Sequence, residues 1–204
     1  MKIKLYKNDI PNNLKLGNTV AIDTEAMGLN HQRDRLCLVQ LSNGSGFCHL
    51  IQINDISRKP TNLIKILKDK KINKIFHYAR FDVGILNFTY HINIQNIYCT
   101  KIASKLARTF TDRHGYKDLC LELLNKNIIK TQQTSDWGAN KLSLSQQKYA
   151  ATDVLHLHEL KLKLNQMLIR ENRIGLADKC FKFLEHRVKL DLEGWSNLDI
   201  FSHK

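Results

Sequence analysis

Proline and glycine are scarce, 2 and 9 of 204 residues, which excludes a collagen-like repeat or a Pro/Gly-rich disordered chain. Apolar runs are short, and none approaches the roughly 18 residues of a membrane span. Met1 to Ile10 alternates lysine with isoleucine and leucine and lacks the apolar core of a signal peptide. The cysteines, Cys37, Cys48, Cys99, Cys120 and Cys180, are odd in number, far apart and without a Cys-x-x-Cys pair. Neither a disulfide framework nor a zinc site is therefore indicated, and they read as small buried hydrophobes. Acidic residues are also few, 19 against 32 Lys and Arg, for a net charge of +13. The expectation is a soluble, cytoplasmic protein with no membrane segment.

What is present suffices for a core. At 43% hydrophobic and 25% charged, the chain is of ordinary globular composition, and its length suits one domain. The basic excess fits a polyanionic partner such as nucleic acid. It fits equally a drift toward AT-rich codons, because Lys, Asn and Ile are all abundant. Charge alone leaves both readings open.

No internal repeat, low-complexity tract or Gly/Ser linker interrupts the chain. Patterning predicts strands over 3–6, 19–23, 36–41 and 47–53, with Asn43-Gly44-Ser45-Gly46 as a hairpin turn between the last two. Pro60 suits the first turn of a helix that turns Leu63, Ile64 and Leu67 inward and Lys65, Lys68, Lys70 and Lys71 outward. A strand over 74–77, a helix over 79–88 and a strand over 94–98 follow. Helices are predicted over 100–108, 115–125, 145–171 and 175–193, with an irregular stretch around 131–142. Strands first, then helices and strands in alternation, is an α/β order.

Three short motifs carry candidate chemistry. Asp23-Thr24-Glu25 ends the best central strand, where residues i and i+2 share a face, so both carboxylates project together. His77-Tyr78-Ala79-Arg80-Phe81-Asp82 spans a strand-to-helix junction and puts an acid near a helix start. In Tyr149-Ala150-Ala151-Thr152-Asp153, the tyrosine and aspartate are i and i+4, on one helix face. Each alone has a plain structural reading: a solvated turn, a helix-start acid, an amphipathic helix. His156 and His158 are i and i+2, so they face apart and do not suggest paired metal ligands.

Together and in this order, the motifs resemble the DEDDy group of 3′–5′ exonucleases, in its ribonuclease D-like branch. The second has that branch's His-x-Ala-x-x-Asp form, and the third is preceded by Ser135-Asp136-Trp137 and Leu142-Ser143. Ala21 to Asn30, Arg33 to Leu41, Cys99 to Ser104 and Thr111 to Gly115 look like the nanoRNase C family within that branch. Two positions depart: Ala26 stands where Thr is common, and Asn140-Lys141 replaces the Arg-Pro usual in ribonuclease D. The resemblance implies an RNase H-like exonuclease fold of class α/β, with a mixed central sheet flanked by helices and a helical C-terminal half. It implies a single exonuclease domain over 1–204, without an additional RNA-binding domain.

Hydrolysis of a phosphodiester needs an activated water and stabilised charge at phosphorus and at the leaving oxygen, which two divalent cations can supply. Mg²⁺ or Mn²⁺ wants hard oxygen ligands, and four crowded carboxylates repel one another without them. By resemblance, Asp23 bridges two such cations, Glu25 and Asp153 complete one site, and Asp82 supports the other through water. Tyr149 would hold the attacking water, because a phenol with a pKa near 10 orients better than it deprotonates at neutral pH. Leu29 falls where the family places an apolar wedge, with Met27 and Gly28 as the adjoining wall; turn packing is the other reading of Leu29. His77 is either a contact to substrate sugar or phosphate, or a hydrogen-bonded core histidine.

The implied activity is hydrolysis of very short RNAs, diribonucleotides included, to 5′-mononucleotides. Trimming of longer or structured RNA 3′ ends, and DNA exonuclease activity, are the same chemistry on other substrates. A non-catalytic nucleic-acid-binding module is the reading from another class, and it has no need of an acid quartet. The family also implies a homo-oligomer, a ring-like octamer.

Overall fold

The apolar runs of the first half pair into a six-stranded sheet in the computed structural model, which describes residues 1–129, 132 and 134–203. The strands are β1 (Lys2–Lys7), β2 (Thr19–Ala26), β3 (Leu36–Ser42), β4 (Phe47–Gln52), β5 (Asn73–Phe76) and β6 (Ile97–Cys99), in the spatial order β1-β4-β3-β2-β5-β6. Strand β3 runs antiparallel to both its neighbours, β2 and β4, whereas β1 is parallel to β4, and β5 and β6 continue parallel from β2. This is the mixed sheet expected of an α/β exonuclease. Gly44 and Gly46, at φ of 82° and 83°, let the chain reverse between β3 and β4.

Helices α1 (Thr61–Lys68), α2 (Ala79–Tyr90), α3 (Thr100–Ala107), α4 (Tyr116–Leu124), α5 (Leu144–Leu155), α6 (Leu157–Arg170) and α7 (Ile174–Leu190) cover the sheet. Helix α1 starts just after Pro60, and Asp9 caps it from a distance, accepting from the amides of Asn62 and Leu63 at 3.0 Å each. The register aligns Asp23, Gln40, Leu50 and Leu5 on one sheet face, and α5 lies against β2, β3 and β4 there. The cluster of Leu36, Leu38, Val39, Leu41, Leu50 and Ile51, all fully buried, forms the centre of the core.

Three local expectations are corrected. The helix predicted over 145–171 is two helices, because His156 (φ −102°, ψ 1°) steps out of helical geometry. The break lets α5 lie on the sheet while α6 turns to pack on α3 and α4. The strand predicted over 94–98 is Ile97–Cys99 only, because Asn96 is left-handed (φ 57°) and interrupts extension. The helix predicted to reach 193 ends at Leu190 and opens into a wide turn, Asp191–Trp195, with Gly194 at φ 108°. Within the irregular stretch around 131–142, Thr131 and Gln133 lie outside the described residues; its other residues form turns and bends.

Candidate active site

Strand β2 delivers Asp23 and Glu25 to the face covered by α5, and α5 brings Asp153 to meet them. Carboxylate oxygens of the three lie within 4.8 Å of one another, and all three side chains are half-buried. Three acids so close are destabilised by mutual repulsion and by loss of water, so the site calls for positive charge. An all-oxygen donor set is the chemistry of a hard cation, and these residues fit a divalent metal.

Asp82, the fourth expected acid, lies on the first turn of α2, outside the cluster of three, and is close enough to feel the Asp153 charge. It is 3% exposed and accepts a 2.7 Å hydrogen bond from the Thr24 hydroxyl. Thr24 lies between Asp23 and Glu25, and on a strand it points to the opposite face, where α2 packs. Burial pushes the Asp82 carboxyl well above the usual range, the Thr24 hydrogen bond pulls it down, and the Asp153 charge pushes it further up. A sharp turn aims this helix: Tyr78 takes a left-handed conformation (φ 68°) between β5 and α2.

Tyr149 is 9% exposed on α5. Burial first, and then the charges of Asp153, Glu25 and Asp23, hold its phenol well above its ordinary pKa. The phenol therefore keeps its proton at neutral pH, beside the Asp153 carboxylate. Trp137 packs beside it with ring centres 6.0 Å apart. The segment bearing Trp137 is held by the start of α5. Ser143 and Gln146 form a reciprocal capping box, and the Gln146 amide also donates to the Asp136 carbonyl at 2.9 Å. Arg35 secures the far end through the Gly138 carbonyl at 3.1 Å.

Of the other expected residues, Leu29 is 84% exposed at the tip of a turn next to β2. A Cβ on Gly28 would come within 2.2 Å of the Asp34 carboxylate, so a larger residue there would have to displace that side chain. Met27 is exposed, its backbone amide bonded to the Arg35 carbonyl at 3.1 Å. His77 is half-buried, with Nδ1 2.9 Å from the Thr100 hydroxyl and its ring against Tyr116. Because that hydroxyl donates to the Phe76 carbonyl, His77 Nδ1 is the donor in their bond. His156 bonds Lys126 and His158 bonds the Ser42 carbonyl, so both are engaged elsewhere.

Two contributors escaped the sequence reading. Thr24 was legible in principle, since the middle residue of an Asp-Thr-Glu strand must face away from both acids. The cation–π contact of Lys101 over the half-exposed Tyr78 ring, at 4.5 Å, had no local signal.

A mixed sheet whose central strand carries two acids toward a helix with a third, beside a protonated phenol, defines a hydrolytic centre suited to divalent cations on an RNase H-like fold. The chain belongs to the family described as 3′-5′ exonuclease, which matches residues 7–169. It is 51% identical to Brucella melitensis NrnC with bound Mg²⁺, at a TM-score of 0.95 over 100% of both chains. The structure of the same protein bound to pGG gives 51% identity, a TM-score of 0.96 and the same full coverage. Ribonuclease D of Gluconacetobacter diazotrophicus is 33% identical over 76% of this chain. The chain spans only 39% of that relative's length. No helix among the described residues is long and apolar enough to cross a membrane.

Proposed function

We propose that this protein is a metal-dependent 3′–5′ exoribonuclease that cuts very short RNAs, diribonucleotides included, to 5′-mononucleotides. The observation that carries the reading is the convergence of Asp23, Glu25 and Asp153 within 4.8 Å beside the Tyr149 phenol. Binding alone would require none of these acids. The preference for short substrates is supported by the full-length likeness to NrnC, which has been captured with pGG.

Asp23, Glu25 and Asp153, with Asp82, would hold two divalent cations, Mg²⁺ or Mn²⁺. Bound there, the metals supply Lewis-acid charge at the phosphoryl oxygens and an activated water. Tyr149 orients that water through its hydroxyl, since its raised pKa keeps the proton in place. Leu29 offers an apolar surface to the terminal bases, with Met27 and Gly28 as the wall beside it. The His77 imidazole, fixed by Thr100, lies at the start of α2 for contact with sugar or phosphate. One exonuclease domain over 1–204 and a cytoplasmic setting belong to the same reading; bacterial ribonuclease D relatives support the latter. A homo-oligomer also belongs to it, supported by the exposed Leu162, Ile169 and Leu176 on α6 and α7, and light scattering tests it.

The deciding experiment is a time course on a dinucleotide, a seven-mer and a structured RNA, with Mg²⁺ and with Mn²⁺. The dinucleotide should be consumed fastest; equal or faster cleavage of the structured RNA would move the reading to ribonuclease D-like trimming. Asp153→Ala should lower the rate by at least about 10³-fold, the scale of several kcal/mol of lost charge stabilisation, while circular dichroism stays unchanged. Full activity in that variant would remove the assignment.

A further inference from the structure

The segment after α7 lies beyond residues 7–169, which the exonuclease family matches, yet it is bound tightly to the flank of the site. Asp191, whose side chain is 7% exposed, accepts two hydrogen bonds from Arg80 at 2.6 and 2.7 Å. It accepts a third from Arg187 at 2.6 Å. Both guanidiniums also donate to the Ser196 carbonyl, Arg80 at 2.7 Å and Arg187 at 3.1 Å. Arg80 is the second residue of α2, two positions before Asp82. A buried carboxylate shared by two arginines is a fixed point: without it, two positive groups face each other at close range.

The turn that carries Leu29 rests on the same assembly. Asn30 and Asp34 fix the turn from inside: Asn30 Oδ1 accepts from the Gln32 and Arg33 amides, and Asp34 Oδ2 from the Asn30 amide. Outside, His31 packs on Phe81 with ring centres 5.0 Å apart, and Gln32 donates to the Leu192 carbonyl at 3.3 Å. A cavity of about 710 Å³ lies between the Leu29 turn and the C-terminal segment, and the Gln32–Leu192 bond links the two.

We propose that Asp191 is a positioning residue: by clamping Arg80 and the C-terminal segment, it sets where the Leu29 turn stands relative to α2 and so how well the enzyme holds a second nucleotide. This rests on the exonuclease reading above. Asp191 lies outside the acid cluster, so its effect should fall on substrates with two bases rather than on the chemistry.

The test compares a dinucleotide with 4-nitrophenyl thymidine 5′-phosphate, which has a single base and a chromogenic leaving group. Asp191→Ala should raise KM for the dinucleotide by about tenfold or more, with kcat within about twofold, as displacement of a positioning group does. The ester's kcat/KM should stay within about twofold. Asp191→Glu, which keeps the charge and both oxygens, should recover most of the dinucleotide KM. Equal losses on the two substrates would reduce Asp191 to a structural staple and overturn the proposal, as would no loss on either. Should Asp191→Ala fail to fold, Gln32→Ala removes only the bond from turn to segment. It should raise the dinucleotide KM alone, and an unchanged KM would overturn the proposal. A wild-type protein inactive on both substrates with either metal would instead overturn the exonuclease reading.

Discussion

Thr24 stands between two clustered acids, and because side chains alternate along a strand it points away from both, toward Asp82, to which it donates at 2.7 Å. That hydrogen bond favours the ionised form of a carboxyl that burial would otherwise keep protonated. Thr24→Val preserves shape and removes the donor. It should weaken Mn²⁺ binding by about tenfold or more, the usual effect of losing an outer-shell partner, and Thr24→Ser should restore it. Calorimetric titration of the metal checks both variants. At Tyr149 the proton is held on the phenol by burial and by the surrounding acids. Tyr149→Phe should therefore lower kcat by about 10²-fold while KM moves little, and steady-state kinetics on a dinucleotide separates the two. The acids and the tyrosine were legible through the resemblance of their three motifs, taken in order, to the DEDDy exonucleases; the partnership of Thr24 with Asp82 needed the strand's facing and the position of α2 together.

At the scale of elements, the loops that lead into β5 and β6 are joined by an unusual residue. Lys74 is fully buried on β5, and its ammonium donates to the Asp69 and Gln95 carbonyls. Burial lowers its pKa to about 8, partly offset by Asp69. Below that pH the ammonium is present in both folded and unfolded chains. Between about 8 and the unfolded value near 10.4, the unfolded chain holds a proton that the folded one does not, so this group makes stability rise with pH. Urea midpoints at about pH 7.5 and 10, compared between wild type and Lys74→Met, should show that increment in the wild type only. The periodicity of the chain foresaw β5 with Lys74 in it but could not foresee that the lysine is buried, because the carbonyls that satisfy it come from two separate loops. The break at His156 escaped for a related reason. The apolar period runs on through Leu157, Leu160, Leu164 and Leu168, all fully buried, while the surface packed against changes from sheet to helices.

Across the whole molecule, a net charge of +13 surrounds an acidic centre. If the basic excess attracts RNA, raising salt from about 50 to 200 mM should raise KM more for a seven-mer than for a dinucleotide, which has fewer phosphates. Equal slopes for the two would return the excess to codon drift. The order of strands and helices, and with it an α/β class, followed from local periods of two and 3.6 residues in the sequence itself. The mixed sheet and the reading of the acids as one site came with the sequence's resemblance to the DEDDy exonucleases. Tertiary structure alone decided which sheet face receives α5, how the Trp137 segment is held against Tyr149, and that Asp191 reaches Arg80 across 111 positions. Contacts between residues so far apart leave no trace in any local period, because they depend on how the elements stack once each has formed.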